Sequence, residues 1–243
     1  MELLIVVAGV LIALSAQQWA EGQSSKKRAA AADARIRAEL RSNLLLGVER
    51  IALRGCLQQR LVTLADGLSG GKSDWTELRM ARSADSPLAF SRMYRVPDRN
   101  WRTTEYQGSL ANGGLDSVSP ERSGLIADMY SQVRSQQTYN EEELRLASEL
   151  GSLQFRQPIV GSDRVRLLAN IVRLDLLNST MVLMAQQQIK SFRQLEYHYS
   201  LEEELTQARN ASYWPNRVGS MREKYGSCVD ANAISTFDRR MLR

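Results

Sequence analysis

The sequence predicts an all-α protein in which one N-terminal transmembrane helix is followed by a helical bundle with long helices. Three observations indicate this class. An uncharged apolar run begins at Leu3, leucine and isoleucine recur at helical spacing along most of the chain, and no stretch alternates apolar and polar residues over a convincing strand length. Only 5 of the 243 residues are Pro and 15 are Gly, which argues against a loop-rich all-β fold.

Composition excludes several classes of protein. Hydrophobic residues make up 43% and charged residues 24% of the chain, which is typical of globular proteins and not of disordered, collagen-like or multi-span membrane proteins. The net charge of +5 is compatible with binding to nucleic acid or anionic lipid. Because the 32 basic residues are interleaved with 27 acidic ones, we interpret them as a solvated helix surface and expect no nucleic-acid partner.

The apolar run at the N-terminus has the length of a membrane span. Residues 3–20 are uncharged and would form about 27 Å of helix, against a hydrocarbon core of about 30 Å. Trp19 falls where an interfacial aromatic residue belongs, and the cluster Lys26, Lys27 and Arg28 falls at the level of lipid headgroups. The lipid bilayer is therefore the first predicted partner. A cleaved signal peptide, with small residues at 13 and 15, and a buried core helix are the open alternatives.

Residues 2–21, ELLIVVAGVLIALSAQQWAE, carry a specific resemblance. They resemble the transmembrane signature of a family of uncharacterised bacterial single-pass membrane proteins, with the pattern acid, aliphatic run with a central Gly, Ile-Ala-Leu, two amides, Trp and acid. The matching positions are Glu2, Gly9, Ile12, Ala13, Leu14, Gln17, Gln18, Trp19 and Glu21, whereas Ala20 stands where the family often has Asn. Trp101, Tyr106, Gly108, Leu110 and Tyr130 follow the family's body pattern loosely. The resemblance implies topology and no chemistry.

Two arguments about membrane side disagree. The basic cluster after the span favours a cytoplasmic body by the positive-inside rule. Family members carry a basic segment before the span, which implies a cytoplasmic N-terminus, and the pair Cys56 and Cys228 suits an oxidising compartment, where it would close a loop of about 172 residues. We therefore expect a bacterial inner-membrane protein with a periplasmic body and a disulfide between these cysteines.

The chain is expected to divide into an anchor at 1–20, a helical bundle at 21–211 and an irregular tail at 212–243. We predict helices at about 29–68, 73–81, from Asp98 or Asn100 to a stop at 112–114, and from Pro120 to about 153. The longest is predicted from 162 or 163 to about 211, with a kink or coiled-coil seam near 186–188. The first of these is expected to run on from the span. Leu167–Ala185 is predicted to be a core helix and not a second span, because Arg173, Asp175 and Asn178 are costly in lipid.

Most charged residues of the first body helix are expected on its solvent side, and 141–143 are interpreted as a solvated face. The predicted apolar stripe comprises Ile36, Leu40, Leu44, Val48, Ile51, Leu57, Leu61, Leu64 and Leu68, and the predicted solvent-side residues are Arg35, Arg37, Glu39, Arg41, Glu49, Arg50 and Arg54.

We expect no enzyme and no catalytic or cofactor site, since His198 is the only residue that could serve simply as a base. No metal site is expected either, because two separated cysteines and one histidine are too few for a zinc site of the usual kind. His198 could act as the general base of a membrane-tethered hydrolase or be an exposed helix residue, and the latter is favoured. The expected function is a non-catalytic scaffold or accessory subunit docking on another membrane or envelope protein, or forming a homo-oligomer. The alternative is a periplasmic sensor or small-molecule-binding helical domain.

Overall fold

The computed structural model describes residues 2–70, 74–75, 94, 97, 100–154, 157–195, 221–222, 225 and 228–230, and of these it describes the backbone alone at 2–5, 8, 74, 75 and 154. These residues form four α-helices: α1 (Glu2–Ser69), α2 (Thr104–Ala111), α3 (Pro120–Glu149) and α4 (Gly161–Gln194). A 3₁₀ helix (Leu150–Gln154) follows α3. The strands β1 (Asp74–Trp75) and β2 (Gln157–Pro158) form a two-residue antiparallel ladder. The predicted all-α class is confirmed.

Helix α1 is one uninterrupted helix of 68 residues, about 100 Å long. It passes from the predicted span into the bundle without a break at Gly22, because it contains no proline and 29–32 are four alanines, the strongest helix former. It ends where the glycines at 67, 70 and 71 predict, and the amide of Gly70 still donates to the carbonyl of Asp66 at 3.2 Å. Among the described elements α1, and not the helix beginning near 162, is the longest.

Two predicted helix starts have different outcomes. Helix α3 begins as predicted, with Pro120 at its first position and the hydroxyl of Ser119 accepting from the amide of Arg122 at 3.4 Å. Helix α2 begins at Thr104, so the predicted start at Asp98 or Asn100 is wrong. Thr103 makes no side-chain cap bond there, because a carboxylate on α1 takes the place of a local cap, as described below.

The predicted helix at 73–81 is wrong at residues 74 and 75, which pair with 158 and 157 across the ladder. The rest of that segment lies outside the described residues. Helix α4 begins at Gly161, one or two residues before the predicted start, and is helical through 186–188 to Gln194. The predicted continuation from 196 to 211 lies outside the described residues, as does His198.

The core lies between α1, α3 and α4. Helix α3 runs parallel to α1, since Asp33 pairs with Arg122 at one end and Arg50 with Glu143 further along. Helix α4 runs antiparallel to α1, as two contacts show. Gly47 of α1 lies against Ala185 of α4, and further along α1 the carbonyl of Leu68 accepts from the guanidinium of Arg164, near the start of α4. Helix α2 packs on α1. The three long helices α1, α3 and α4 thus surround one apolar interior.

The predicted apolar stripe of α1 is buried throughout, apart from Ile51, which is half-buried. Leu53 lies on the side of Leu57, about 140° around the helix from Val48, and is also buried, which shows that α1 is covered on more than one side. The prediction that the charged residues of α1 face solvent is therefore wrong for Glu39, Glu49 and Arg50, and the predicted solvated face at 141–143 is wrong for Glu143. One periodic stripe marks a single buried face, whereas α1 contacts several neighbours.

Candidate functional site

The first third of α1 projects from the bundle. Its described side chains from Val6 to Lys27 are exposed except the half-buried Ser25, whose hydroxyl lies 2.6 Å from that of Ser117. Ala32 is the first fully buried residue of the helix. Since 13 residues separate Trp19 from Ala32, about 20 Å of helix lies between the end of the predicted span and the start of the core.

The projecting segment exposes an unusual amount of apolar surface. Trp19 and Ile12 are each 70% exposed, and Gly9 has open space where a side chain would begin. The other exposed aliphatic residues here are Val6, Val7, Val10, Leu11 and Leu14. Lys26, Lys27 and Arg28 are exposed on the next turns. The predicted interface residues are thus all accessible, on a part of the helix that the bundle leaves uncovered.

Among the described residues, one helix is long and apolar enough to cross a membrane, and it is α4, Gly161–Gln194. Of the most apolar stretch of α4, 39% is buried inside the protein. Its inner side packs against α1 and α3 through residues such as Leu174 and Met181, both fully buried. The predicted span at 3–20 forms the projecting end of α1, and part of its side chains lie outside the description.

Helix α4 is apolar on its outer side as well. Val165, Val172, Leu176 and Leu183 are between 55% and 69% exposed. Together with the exposed Ala169 and the half-buried Ser179 they follow alternating steps of four and three residues along the helix. We call these six residues the outer seam. A helix that is apolar on both sides is usually covered on both, so the outer seam is a candidate contact surface.

A buried polar layer crosses the bundle centre. Nη2 of Arg50 lies 2.8 Å from Oε2 of Glu143 and donates to Oδ1 of Asn140 at 3.2 Å. The hydroxyl of Tyr94 donates to Oε1 of Glu143 at 2.9 Å. All four side chains are at most 2% exposed. Because charges are costly to bury unless they are paired, this layer depends on all its members remaining in place.

Burial raises the pKa of Tyr94 far above its ordinary value of 10.0, and the neighbouring carboxylate of Glu143 raises it further. Asp175 acts in the same direction, while Arg50 opposes the shift. The phenol therefore stays protonated and remains a donor to Glu143.

Several atoms in and beside this layer have no hydrogen-bond partner in the described part of the chain. They are Nη1 of Arg50, Oδ1 of Asp175, and both Oδ1 and Nδ2 of Asn178, a side chain that is 1% exposed. In the antiparallel register of α1 and α4, where 47 meets 185 and 68 meets 164, Asn178 lies about one turn from the level of Arg50. Buried donors and acceptors of this kind call for a water or a small polar ligand.

A second buried carboxylate organises the segment before α2. Oε2 of Glu39 accepts from the amide of Glu105 at 2.9 Å, and Oε1 accepts from the amide of Tyr106 at 3.3 Å and from the hydroxyl of Tyr130 at 2.7 Å. The two tyrosine rings stack with centroids 4.2 Å apart. Glu39 thus caps the first turn of α2 from another helix, which explains the missing local cap.

Asn43, one turn beyond Glu39, holds the chain just ahead of α2. Its side-chain amide donates to the carbonyl of Arg102 at 2.7 Å, and its Oδ1 accepts from the amide of the same residue at 2.9 Å. Glu39 and Asn43 are the residues that sequence reasoning missed here. Their spacing of four on an otherwise apolar helix flank was the available signal.

Cys56 and Cys228 form a disulfide with their Cα atoms 5.1 Å apart, so the predicted partners are brought together. The described tail residues pack on α1 around this link. The hydroxyl of Tyr225 donates to Oε1 of the buried Glu49 at 3.1 Å, and the amide of Asp230 donates to the carbonyl of Ala52 at 3.0 Å. Residues 221, 222 and 225 are helical. The disulfide thus joins the tail to the first body helix, as the sequence analysis expects.

In the part of the chain that the structure describes, no group of three or more His, Cys, Asp or Glu side chains is placed to hold a metal ion. Comparisons of this chain with known protein families, with curated proteins and with solved structures found no match. The resemblance of residues 2–21 to a single-pass membrane family therefore stays a prediction.

Proposed function

We propose that this protein is a membrane-anchored, non-catalytic scaffold or accessory subunit whose helical body docks on another membrane or envelope protein. The observation that carries the proposal is the continuity of α1, which runs from the exposed apolar stretch into the core without a break. Because α1 is continuous, an anchored α1 would hold the buried core, which begins at Ala32, at a set distance of about 20 Å from the interface marked by Trp19.

The order of the exposed side chains along α1 supports a membrane anchor. Aliphatic side chains are followed by Trp19 and then by three exposed cations, the order expected from the hydrocarbon core through the interface to the headgroups. Exclusion of the aliphatic side chains from water would drive insertion. The outer seam of α4 supports docking, since it offers a helical partner an apolar surface that the bundle does not use.

Carbonate extraction of membranes tests the anchor. We expect the full chain to stay in the pellet, and Leu11→Arg to shift it toward the supernatant because an arginine at the centre of a span costs about 2.5–3.5 kcal/mol. Val62→Arg, at an exposed aliphatic position on the body, is the matched control and should stay in the pellet. Release of the unaltered chain, or a mature N-terminus beyond Trp19, would overturn the anchor.

Membrane side is tested separately. A periplasmic body in the bacterial inner membrane requires that Thr138→Cys, at an exposed position of α3, react with a membrane-impermeant maleimide in intact spheroplasts. Labelling only after lysis would place the body in the cytoplasm and leave the anchor intact.

The alternative function, a sensor or small-molecule-binding domain, is favoured by the buried side chain of Asn178, which has no hydrogen-bond partner in the described part of the chain and lies about one turn from the level of Arg50. Native mass spectrometry of the detergent-purified protein distinguishes the two proposals. A bound small molecule that Asn178→Leu removes would favour the sensor. An unaltered protein that carries no bound small molecule favours the docking subunit.

A further inference from the structure

We propose that the centre of the bundle binds a small cluster of water molecules that joins Asn178 and Asp175 of α4 to Arg50 of α1. This inference goes beyond the docking function and does not depend on the anchor. It names water as the occupant of a site beside the buried polar layer, where the sensor alternative would require an organic molecule.

Asn178 of α4 lies beside the polar layer without a bond to it. The hydrogen bond and the ion pair of Arg50 connect α1 to Asn140 and Glu143 on α3. Both Oδ1 and Nδ2 of Asn178 have no hydrogen-bond partner in the described part of the chain. Because a side-chain amide at 1% exposure is costly to bury without partners, a bridging molecule is required at this point.

The offset between Asn178 and Arg50 suits a bridging water. In the antiparallel register set by Gly47 and Ala185, position 182 of α4 is level with Arg50. Asn178 is four residues from that position, about 6 Å along the helix axis. One water connects polar atoms up to about 5.6 Å apart, since each of its hydrogen bonds is about 2.8 Å long. One or two waters therefore connect the amide to Nη1 of Arg50, which also has no partner among the described residues.

The balance of donors and acceptors identifies water as the occupant. Nη1 of Arg50 and Nδ2 of Asn178 are donors, whereas Oδ1 of Asn178 and Oδ1 of Asp175 are acceptors. Asp175 and Asn178 are three residues apart and thus neighbours on the surface of α4. Water donates two hydrogen bonds and accepts two, so a small cluster of waters satisfies all four atoms. A simple anion would satisfy the donors alone, and a simple cation the acceptors alone.

The charges around the site also disfavour an anion. Two carboxylates, Glu143 and Asp175, stand against the single guanidinium of Arg50 in this layer. The charge of Asp175 acts on the phenol of Tyr94, whose pKa it helps to raise, and this places Asp175 within electrostatic reach of the layer. A further negative charge would be repelled, whereas neutral water is not.

Packing limits the size of the occupant. Leu174 and Met181, about one turn to either side of Asn178, are fully buried and fill the interior there. Further along, α1 and α4 approach so closely that a Cβ on Gly47 would lie 2.9 Å from that of Ala185. A polar site bordered in this way by close-packed side chains suits individual waters better than an organic molecule.

Nuclear magnetic resonance of the full chain in detergent micelles, with isotope-labelled asparagine, tests the site. We expect the side-chain amide of Asn178 to give cross-peaks with water whose signs are opposite in NOE and ROE spectra, as a long-lived bound water does. Asn178→Leu, or Asn178→Ser if the leucine variant does not fold, assigns these peaks by their loss.

Asn43 is the matched control for this measurement. It is also 1% exposed, but its Nδ2 and Oδ1 bond directly to the backbone of Arg102. Its amide should therefore give no such cross-peak. A spectrum in which Asn178 shows no water contact, or in which Asn43 shows an equal one, would overturn the proposal.

Urea unfolding provides a second test, in which the sign of the effect is decisive. If waters bridge Asn178 to Arg50, Asn178→Leu removes partners from the waters and from Nη1, and the unfolding constant should rise about tenfold. If the amide is instead buried without any partner, leucine of similar volume removes an unsatisfied polar group, and the constant should fall. A fall or an unchanged constant would overturn the water cluster.

Native mass spectrometry of the same protein separates this proposal from the sensor. An organic molecule that is bound to the unaltered protein and lost in Asn178→Leu would overturn the water cluster in favour of the sensor. Carbonate extraction is independent of both outcomes, because Asn178 lies outside the predicted span, so a failure of the anchor is recognised separately.

Discussion

The guanidinium of Arg50 and the carboxylate of Glu143 lie 2.8 Å apart at the centre of the bundle, with both side chains at most 2% exposed. The pair links α1 to α3, and through Tyr94 it also orders a residue of the connection before α2. Removing one charge leaves the other buried without its partner, which is costly.

Glu143→Gln should therefore lower the free energy of unfolding by about 3–5 kcal/mol, as breaking a buried ion pair generally does. Replacing both partners, Arg50→Met with Glu143→Leu, should cost far less because no charge remains buried. Urea unfolding followed by circular dichroism measures both. If the double variant loses as much as the single one, the pair is not the source of the effect.

The buried phenol of Tyr94 should make the folded protein less stable at alkaline pH. Its pKa is raised in the folded protein, so the folded state keeps a proton that the unfolded state releases above the ordinary value of 10.0. The stability that this proton contributes is complete below pH 10 and falls by about 1.4 kcal/mol for each further pH unit. Denaturant midpoints between pH 8 and 11 should fall less steeply in Tyr94→Phe. Equal slopes in the two proteins would show that Tyr94 ionises freely.

Glu39 predicts a local effect on α2. Glu39→Ala leaves two backbone amides and the hydroxyl of Tyr130 without their acceptor, at a cost of about 1–3 kcal/mol for each donor that stays buried. Hydrogen exchange should accelerate at Glu105 and Tyr106 before it does in α3. The matched control is Glu105→Gln, which removes an exposed ion pair with Arg35 and should change exchange little.

Adding a side chain at Gly47 should overpack the contact between α1 and α4. A Cβ at Gly47 would lie 2.9 Å from that of Ala185, so Gly47→Ala should overpack the contact by about 1–3 kcal/mol. Adding Ala185→Gly should restore most of the loss. Gly55 has open space where a Cβ would stand, and Gly55→Ala should raise stability by about 0.5–1 kcal/mol. Thermal melting of the four proteins compares these outcomes.

The disulfide predicts a redox effect on stability. It closes a separation of 172 residues, and Cys56→Ser with Cys228→Ser should lower the unfolding free energy by roughly 5 kcal/mol at most. Reduction of the unaltered protein should give a similar loss, measured by denaturant midpoint with and without a thiol reagent. Equal mobility on reducing and non-reducing gels, with both thiols free to alkylation, would show that the bond does not form.

Individual residues show which features of the fold can be predicted from the sequence. The period of the leucines predicted the buried stripe of α1, and the pair Ser119-Pro120 predicted the start of α3, because both signals are local. The sequence predicts a surface position for the buried residues Glu39, Glu49, Arg50 and Glu143, since a charged residue is exposed unless a partner from elsewhere pairs with it. Glu143 is 93 residues from Arg50 along the chain, and no local sequence pattern predicts a partner at that separation.

Local signals in the sequence thus suffice to predict that this protein is helical and which residues of each helix are apolar. These signals are periodicity, composition and the residues that start and stop helices. They also mark the two cysteines as candidates for pairing. Tertiary structure alone decided which polar side chains enter the core, which helix caps α2, and that α4 keeps an apolar surface on its outer side. The physical reason is that a helix specifies its own faces through bonds between near neighbours, whereas the covering of each face depends on segments far away in sequence.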